Sequence, residues 1–309
     1  MAKLTVRGAR KEEDYWHIRA FLREVFLLNN RRLLSWHVVR LDYWRWHFVA
    51  NCELSPPVPQ VTYIWETNDR RIAAVLNPES NGEAFMQVHP HFGTPELEEE
   101  MLAFAETHLS VRNADGTRTL YAFADKSDAR RQQLLKSRGY VKRGRPENQW
   151  RRELDVPIPS AQPIPGYVIR SMGDVDEHPA RSWASWKAFH PDEPDAHYEG
   201  SDWYLNIQFA PLYRRDLDIV AVTPGGEIAA FATIWFDDAT RSGVFVLVGA
   251  MPVHQRRGLS TAVMTEGLRR LQRMGATRAF VSGYSPQANA LYATVMSQKD
   301  MQEPWIKAW

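Results

Sequence analysis

The stretch best equipped for chemistry is Gly249-Ala250-Met251-Pro252-Val253-His254-Gln255-Arg256-Arg257-Gly258-Leu259-Ser260-Thr261. It joins a strand-like run, Val244 to Ala250, to a run whose apolar residues recur at helical spacing. Such a junction places consecutive backbone N–H groups at a helix N-terminus, where unsatisfied donors and the macrodipole favour an anion. Gly258 lets a ligand approach the backbone closely, and Arg256 and Arg257 add positive charge. A pyrophosphate suits this combination. The same residues would also make an ordinary strand–loop–helix junction with two surface arginines, and the loop alone does not choose between the two.

The elements that must hold the loop follow from hydrophobic period. Leu217 to Val222 is strand-like, and Pro224-Gly225-Gly226 turns it into a second strand, Ile228 to Trp235. Asp237 to Thr240 turns again into Val244 to Ala250. From Gly258 the period changes: Leu259, Ala262, Val263, Gly267, Leu268 and Leu271 share one helix face, and Gly275 stops the helix. Arg278 to Gly283 is a short strand and Ala288 to Met296 another helix. Strands that alternate with helices after an antiparallel meander predict a mixed α/β sheet.

A proline-rich connector, residues 155–166 with Pro157, Pro159, Pro163 and Pro165, divides the chain into residues 1–154 and 167–309. The halves echo one another. Val6-Arg7 is answered by Ile169-Arg170, Arg71-Ile72-Ala73-Ala74-Val75 by Glu227-Ile228-Ala229-Ala230-Phe231, and Val88-His89-Pro90 by Ala250-Met251-Pro252. Three matches in the same order at nearly the same spacing predict a duplicated domain.

Gln255-Arg256-Arg257-Gly258-Leu259-Ser260 resembles the Q/R-x-x-G-x-G/A coenzyme A loop of the GNAT acetyltransferases. Ser285-Pro286-Gln287-Ala288-Asn289-Ala290-Leu291-Tyr292 is similar to that family's N-x-x-A-x-x-L-Y signature. The resemblance covers the second half. It implies two tandem GNAT-like domains, each a mixed, largely antiparallel α/β sheet flanked by helices. It also implies acetyl-CoA as co-substrate, with pantetheine along the backbone of Val248, Gly249 and Ala250 and the pyrophosphate on the N–H groups of residues 256–261. Gln255, Arg256, Arg257, Gly258, Leu259, Ser260, Thr261 and Asn289 are then coenzyme-binding, and Tyr292 is the general acid to the leaving thiolate. An N–H near Ala250 would stabilise the tetrahedral oxyanion.

Three departures stand against the pattern. Ser260 replaces a glycine or alanine, Met296-Ser297 replaces a Gly-Phe and blurs the last strand, and Val246 stands where tandem relatives often carry a glutamate. A valine cannot accept a proton, so the base is another group, with His190, Glu193 or a residue of the first half to be searched, a water chain, or absent. The first half lacks the loop: after Pro90 come four glutamates, Glu96, Glu98, Glu99 and Glu100, which repel a pyrophosphate. That domain is read as degenerate, a scaffold and one wall of the substrate cleft.

Bulk composition limits the alternatives. With 38 Lys and Arg against 37 Asp and Glu, the charge balance gives no attraction to nucleic acid or to an anionic membrane. One cysteine, Cys52, excludes an intrachain disulfide and suggests a reducing, cytoplasmic compartment. The longest apolar-rich run, Val244 to Val253, is half a membrane span. The histidines show no metal-site spacing. The expectation is therefore an N-acetyltransferase acting on a small-molecule amine, without metal, as a monomer or homodimer. The rival expectation is a non-catalytic acyl-CoA sensor or scaffold.

Overall fold

The computed structural model describes residues 3–10, 12–158 and 163–309, so the middle of the proline-rich connector, residues 159–162, lies outside the described residues. The chain forms two compact units, Met1–Asn148 with Asp300–Trp309, and Gln149–Lys299. The division falls six residues before the one read from sequence, at Asn148. The last ten residues, read as part of the second half, belong to unit 1. Local periodicity identifies a strand but not the sheet edge that a terminal strand will join.

Unit 1 runs β1 (Thr5–Gly8), α1 (Glu12–Leu28), α2 (Val38–Tyr43), α3 (Val58–Val61), β2 (Tyr63–Glu66), β3 (Ile72–Asn77), β4 (Glu83–Val88), α4 (Pro95–His108), β5 (Val111–Arg112), β6 (Arg118–Asp125), α5 (Ala129–Ser137) and β7 (Val141–Lys142). β8 (Glu147–Glu153) carries the chain into unit 2. There follow β9 (Val168–Ser171), α6 (His178–Phe189), α7 (Asp202–Gln208), β10 (Asp218–Val222), β11 (Ile228–Asp237), β12 (Ser242–Ala250), α8 (Leu259–Arg273), β13 (Arg278–Gly283), α9 (Pro286–Val295) and β14 (Gln298–Ala308).

In unit 1 the strand order is β1-β2-β3-β4-β6-β14. Its first four strands form an antiparallel meander, β6 lies parallel to β4, and β14 closes antiparallel to β6 from Gln302↔Asp125 to Ala308↔Thr119. Unit 2 has the order β9-β10-β11-β12-β13, again a meander followed by one parallel strand, with β8 beyond β13. Each unit is thus a mixed, largely antiparallel sheet with helices, as read from sequence.

Two features of unit 2 set the position of its loop. All ten residues of β11 are buried, because helices cover both faces, and the strand accordingly reads as a largely apolar run broken only by Thr233 and ended by Asp237. α8 lies so close to the sheet that a Cβ on Gly267 would stand 2.3 Å from Ile234 Cδ1 and 3.1 Å from Phe245. Leu259, Val263, Leu268 and Leu271 fill the remaining space above the sheet.

The duplication reaches below the fold to single hydrogen bonds. Arg7 on β1 donates to Asp14 at 2.8 Å, and Asp14 also accepts from Arg10 N. On β9, Arg170 donates to Glu177 at 2.9 Å, and Glu177 also accepts from Gly173 N. The β2–β3 turn is closed by Arg70 N→Thr67 O and Arg71 N→Thr67 Oγ1, and the β10–β11 turn by Gly226 N→Thr223 O and Glu227 N→Thr223 Oγ1. Both hairpins carry a register shift just before the turn, at Trp65/Glu66 and Ala221/Val222.

Candidate functional site

β12 is held on one side by β11, with Ala232↔Val248, Phe231↔Gly249 and Ala230↔Ala250. On its other side the parallel ladder to β13 ends at Phe245↔Val281. The reason lies in register. Thr233 pairs with Leu247 but Ile234 pairs with Phe245, so Val246 is the extra residue of a β-bulge. A bulge bends its strand, and past Val246 the β13-facing edge of Leu247 to Ala250 has no ladder among the described residues. Val248, Gly249 and Ala250 are half-buried there, an open edge with unused backbone donors and acceptors. Gly249 lies against α6 and β11: a Cβ on it would meet Phe231 at 2.6 Å and Ala188 at 3.0 Å.

The loop that follows has two left-handed residues, Arg256 at φ 60° and Gly258 at φ 81°. Gly258 is the N-cap of α8 and supplies no side-chain cap. The first helical bond is Ala262 N→Gly258 O, so the N–H groups of Leu259, Ser260 and Thr261 have no intrahelical acceptor. Leu259 is buried in the core and Ser260 and Thr261 are half-buried. Gln255 is exposed and donates to Ala250 O at 3.2 Å. Arg256 is exposed, and Ile164 of the connector lies 3.8 Å from where a Cβ on Gly258 would sit.

Arg257 is braced by residues that the sequence reading passed over. Its Nη1 donates to Tyr167 Oη at 2.9 Å, Tyr167 Oη lies 2.9 Å from His254 Nδ1, and His254 Nε2 lies 2.9 Å from Glu227 Oε2. With Tyr167 donating to Nδ1, His254 carries its proton on Nε2 and donates to Glu227. This chain of bonds pins the 3₁₀ turn Pro252–His254 to the β10–β11 hairpin. The only local hint was an aromatic residue directly after the connector.

Tyr292 sits on α9, which is opened by Ser285 accepting from Ala288 N. Its ring packs on Gly283, where a Cβ would stand 2.9 Å from the ring edge. Burial pushes the Tyr292 hydroxyl up to about 12, because the charged phenolate is disfavoured away from water. The hydroxyl makes no hydrogen bond among the described residues. Asn289 is placed differently from a coenzyme ligand. Its Oδ1 accepts from Trp150 Nε1 at 2.7 Å, and its Nδ2 reaches Ser285 O at 2.8 Å and Gly283 O at 3.3 Å. The carboxamide is spent on fixing α9 and β13 together.

Both candidate bases named above are solvent-exposed. His190 is exposed at the end of α6, with Nδ1 3.0 Å from Trp186 O, and Glu193 is exposed beside His197 at 3.7 Å.

In unit 1 the corresponding helix, α4, closes its own end. Thr94 Oγ1 accepts from Leu97 N at 3.2 Å, and Pro95 removes an N–H. Glu96 and Glu98 occupy the first turn, and Glu98 is held by Arg131 at 2.9 Å and by Arg130. Of the first-turn N–H groups, only that of Glu96 has no acceptor among the described residues, and the acidic side chains of Glu96 and Glu98 stand beside it.

Comparison with known proteins agrees with this geometry. Residues 180–296 match the family model described as the acetyltransferase (GNAT) family. No curated protein matches the sequence. Over 99% of the chain, the fold is similar to that of a GCN5-related N-acetyltransferase from Sphaerobacter thermophilus, covering 95% of it, at 18% identity and a TM-score of 0.66. It is similar over its whole length to a tandem GNAT protein from the clavulanic acid biosynthesis pathway, covering 98% of that chain, at 13% identity and a TM-score of 0.65. A GNAT-family acetyltransferase from Colwellia psychrerythraea aligns over 98% of the chain and all of its own length, at 11% identity and a TM-score of 0.61.

Proposed function

We propose, on the premise that residues 180–296 belong to the GNAT acetyltransferase family within a tandem GNAT fold, that this protein moves an acetyl group from acetyl-CoA to the amine of a small-molecule acceptor. Unit 2 alone holds the coenzyme. The observation that carries this reading is the uncapped N-terminus of α8, with Gly258 at φ 81°, following directly on the open edge of β12. The N–H groups of Gly258 to Thr261 take the pyrophosphate, the edge of Val248 to Ala250 takes the pantetheine amides as a further strand, and Arg256 adds charge. Arg257, already bound to Tyr167, shapes the loop and adds its field.

The chain then has three tasks in catalysis. It positions the acceptor nitrogen against the thioester carbon, its backbone N–H near Ala250 stabilises the oxyanion of the tetrahedral intermediate, and Tyr292 gives its proton to the departing thiolate. Calorimetry with acetyl-CoA on the full chain should give one site. Gly258→Asp should abolish it, since a carboxylate would occupy the anion position on a backbone that favours glycine. Two equivalent sites, or a Gly258→Asp protein that binds normally, would sink the reading. Val246 supports one second reading, a protein that binds acyl-CoA without turning it over. Release of free thiol with any of a panel of amines separates enzyme from sensor.

A further inference from the structure

Unit 1 contains a cavity of about 540 Å³ that the acyl-transfer reading leaves unused. Its walls are unlike. One is the face of α1 that carries Glu13, His17, Ala20 and Glu24 at helical spacing, with Phe21 beside them. The other is built from the β2–β3 turn, Arg70 and Arg71, with Arg10 of the β1–α1 loop and Ile72 at the base.

Charge is segregated across this space. Arg7, which also lines it, pairs with both Asp14 and Glu66 at 2.8 to 3.1 Å, so this group carries one net negative charge. Arg10, Arg70 and Arg71 form no ion pair among the described residues, and Arg71 rests over the Phe92 ring at 5.6 Å. Facing them, Glu13 has no cationic partner, and Glu24 has only the buried His89 ring at 3.2 Å. The cavity thus offers guanidinium groups without an ion pair from Arg10, Arg70 and Arg71, carboxylates without a cationic side-chain partner other than His89 from Glu13 and Glu24 on α1, and apolar surface from Ala20, Phe21 and Ile72.

The repeat shows that this is a local invention. Arg70 holds φ 64° at the turn position where unit 2 has Gly226 at φ 87°. The neighbouring Arg71 corresponds to Glu227, a reversal of charge. Arg70 thus carries a cationic side chain at a backbone position that favours glycine.

We propose that this cavity binds a dipeptide-sized zwitterion, its carboxylate on Arg70 and Arg71 and its ammonium on Glu13 and Glu24. Size selects the dipeptide over a single amino acid. As a sphere, a cavity of this volume is about 10 Å across, while one residue of extended chain spans about 3.5 Å and two span about 7 Å before their terminal charged groups make contact. Only the longer molecule brings opposite charges to opposite walls. Apolar side chains of the ligand lie on Phe21 and Ile72.

The test uses the full-length protein with leucyl-leucine as probe, followed by saturation-transfer NMR and thermal shift. Leucyl-leucine should bind. Its N-acetyl derivative, its C-terminal amide and free leucine should each bind at least about tenfold more weakly, the scale of one lost charge-assisted hydrogen bond. Glu13→Gln and the double variant Arg70→Gln/Arg71→Gln, all at exposed positions, should keep the melting temperature and lose binding to a similar degree. Equal binding of the N-acetyl compound would reduce the site to an anion site and overturn the proposal. So would unchanged affinity in the variants, or no saturation transfer from any member of a mixed dipeptide library.

Discussion

Tyr292→Phe is the most informative single change, because the structure separates what the hydroxyl does from what the ring does. The ring fills the space over Gly283 and belongs to the core of unit 2. The hydroxyl has no hydrogen-bond partner among the described residues, so its removal should alter stability by no more than about 0.5 kcal/mol. That corresponds to a shift of about 2 °C or less in a domain of this size. Its acidity sets the size of the kinetic effect. With the hydroxyl pushed up to about 12, about one molecule in a thousand is ionised at pH 9, so the donating form is present throughout the usual assay range. Transfer to a thiolate near the cysteine reference of about 8.5 is uphill by roughly 3.5 pH units, about 5 kcal/mol. Such a proton moves only as the C–S bond breaks, which places the contribution at the low end of the usual range for general acids, about 10² in kcat. The assay is thiol release from acetyl-CoA with coenzyme affinity measured in parallel. Unchanged turnover would leave Tyr292 as core, and a fall in turnover matched by a fall in melting temperature would make the effect structural.

Three further outcomes follow from the same coordinates. With Val246 at the bulge and no carboxylate in place, the rate at low acceptor concentration should climb about tenfold per pH unit from about pH 6.5 to 9 for an alkylamine near the lysine value of about 10.4. A plateau near neutrality would mean that another base has been recruited. Asp14 and Glu177 are held below the usual carboxylate range by hydrogen bonds from Arg7 and Arg170. Their contribution to stability is therefore complete above the unfolded values near 4 and is lost as pH falls through the depressed folded values. Asp14→Asn or Glu177→Gln should flatten the acid limb of a melting-temperature profile, and an identical limb in both variants would refute this. Asp218, fully buried, accepts from Thr233 at 2.9 Å, Arg181 at 3.3 Å, Tyr213 at 3.2 Å and Tyr204. Asp218→Asn strands the buried Arg181 charge and should cost about 3–5 kcal/mol in urea unfolding, and a loss below about 1 kcal/mol would show the pair to be dispensable.

The sequence was most legible where one physical pattern decided the outcome. β13 was read as Arg278 to Gly283 and is found there, and α8 was read from Gly258 to Gly275 and spans Leu259–Arg273. In both cases apolar period and glycine punctuation agree. β14 was obscured by Met296-Ser297 and by the polar run after it, yet it spans eleven residues, because β6 supplies its partners. The bulge at Val246 had no local signal, since a register shift is a property of two strands together. Asn289 lies inside the matched segment at a position the motif leaves free, and its carboxamide is consumed by Trp150 and two carbonyls, which a one-dimensional pattern cannot show. The Tyr167–His254–Glu227 brace joins residues 87 and 27 apart in sequence and was invisible for the same reason.

The duplication separates what the fold requires from what a ligand requires. The arginine–carboxylate pair beside the first strand and the threonine-closed hairpin turn recur in both units. Each satisfies polar groups that the packed sheet takes out of water, and leaving such groups unpaired costs about 1–3 kcal/mol apiece in either copy. The helix start after the fourth strand is different. Unit 1 caps it with Thr94, worth about 1 kcal/mol, and unit 2 forgoes that cap, leaving Gly258 and three bare N–H groups. A serine, threonine or aspartate cap needs an extended backbone, and position 258 is left-handed, a conformation that strains any L side chain. The φ of 81° there keeps every side chain out of the anion's path. That asymmetry supports a single coenzyme site. The opposite asymmetry, Arg70 where unit 2 has Gly226, supports a ligand of other chemistry in unit 1.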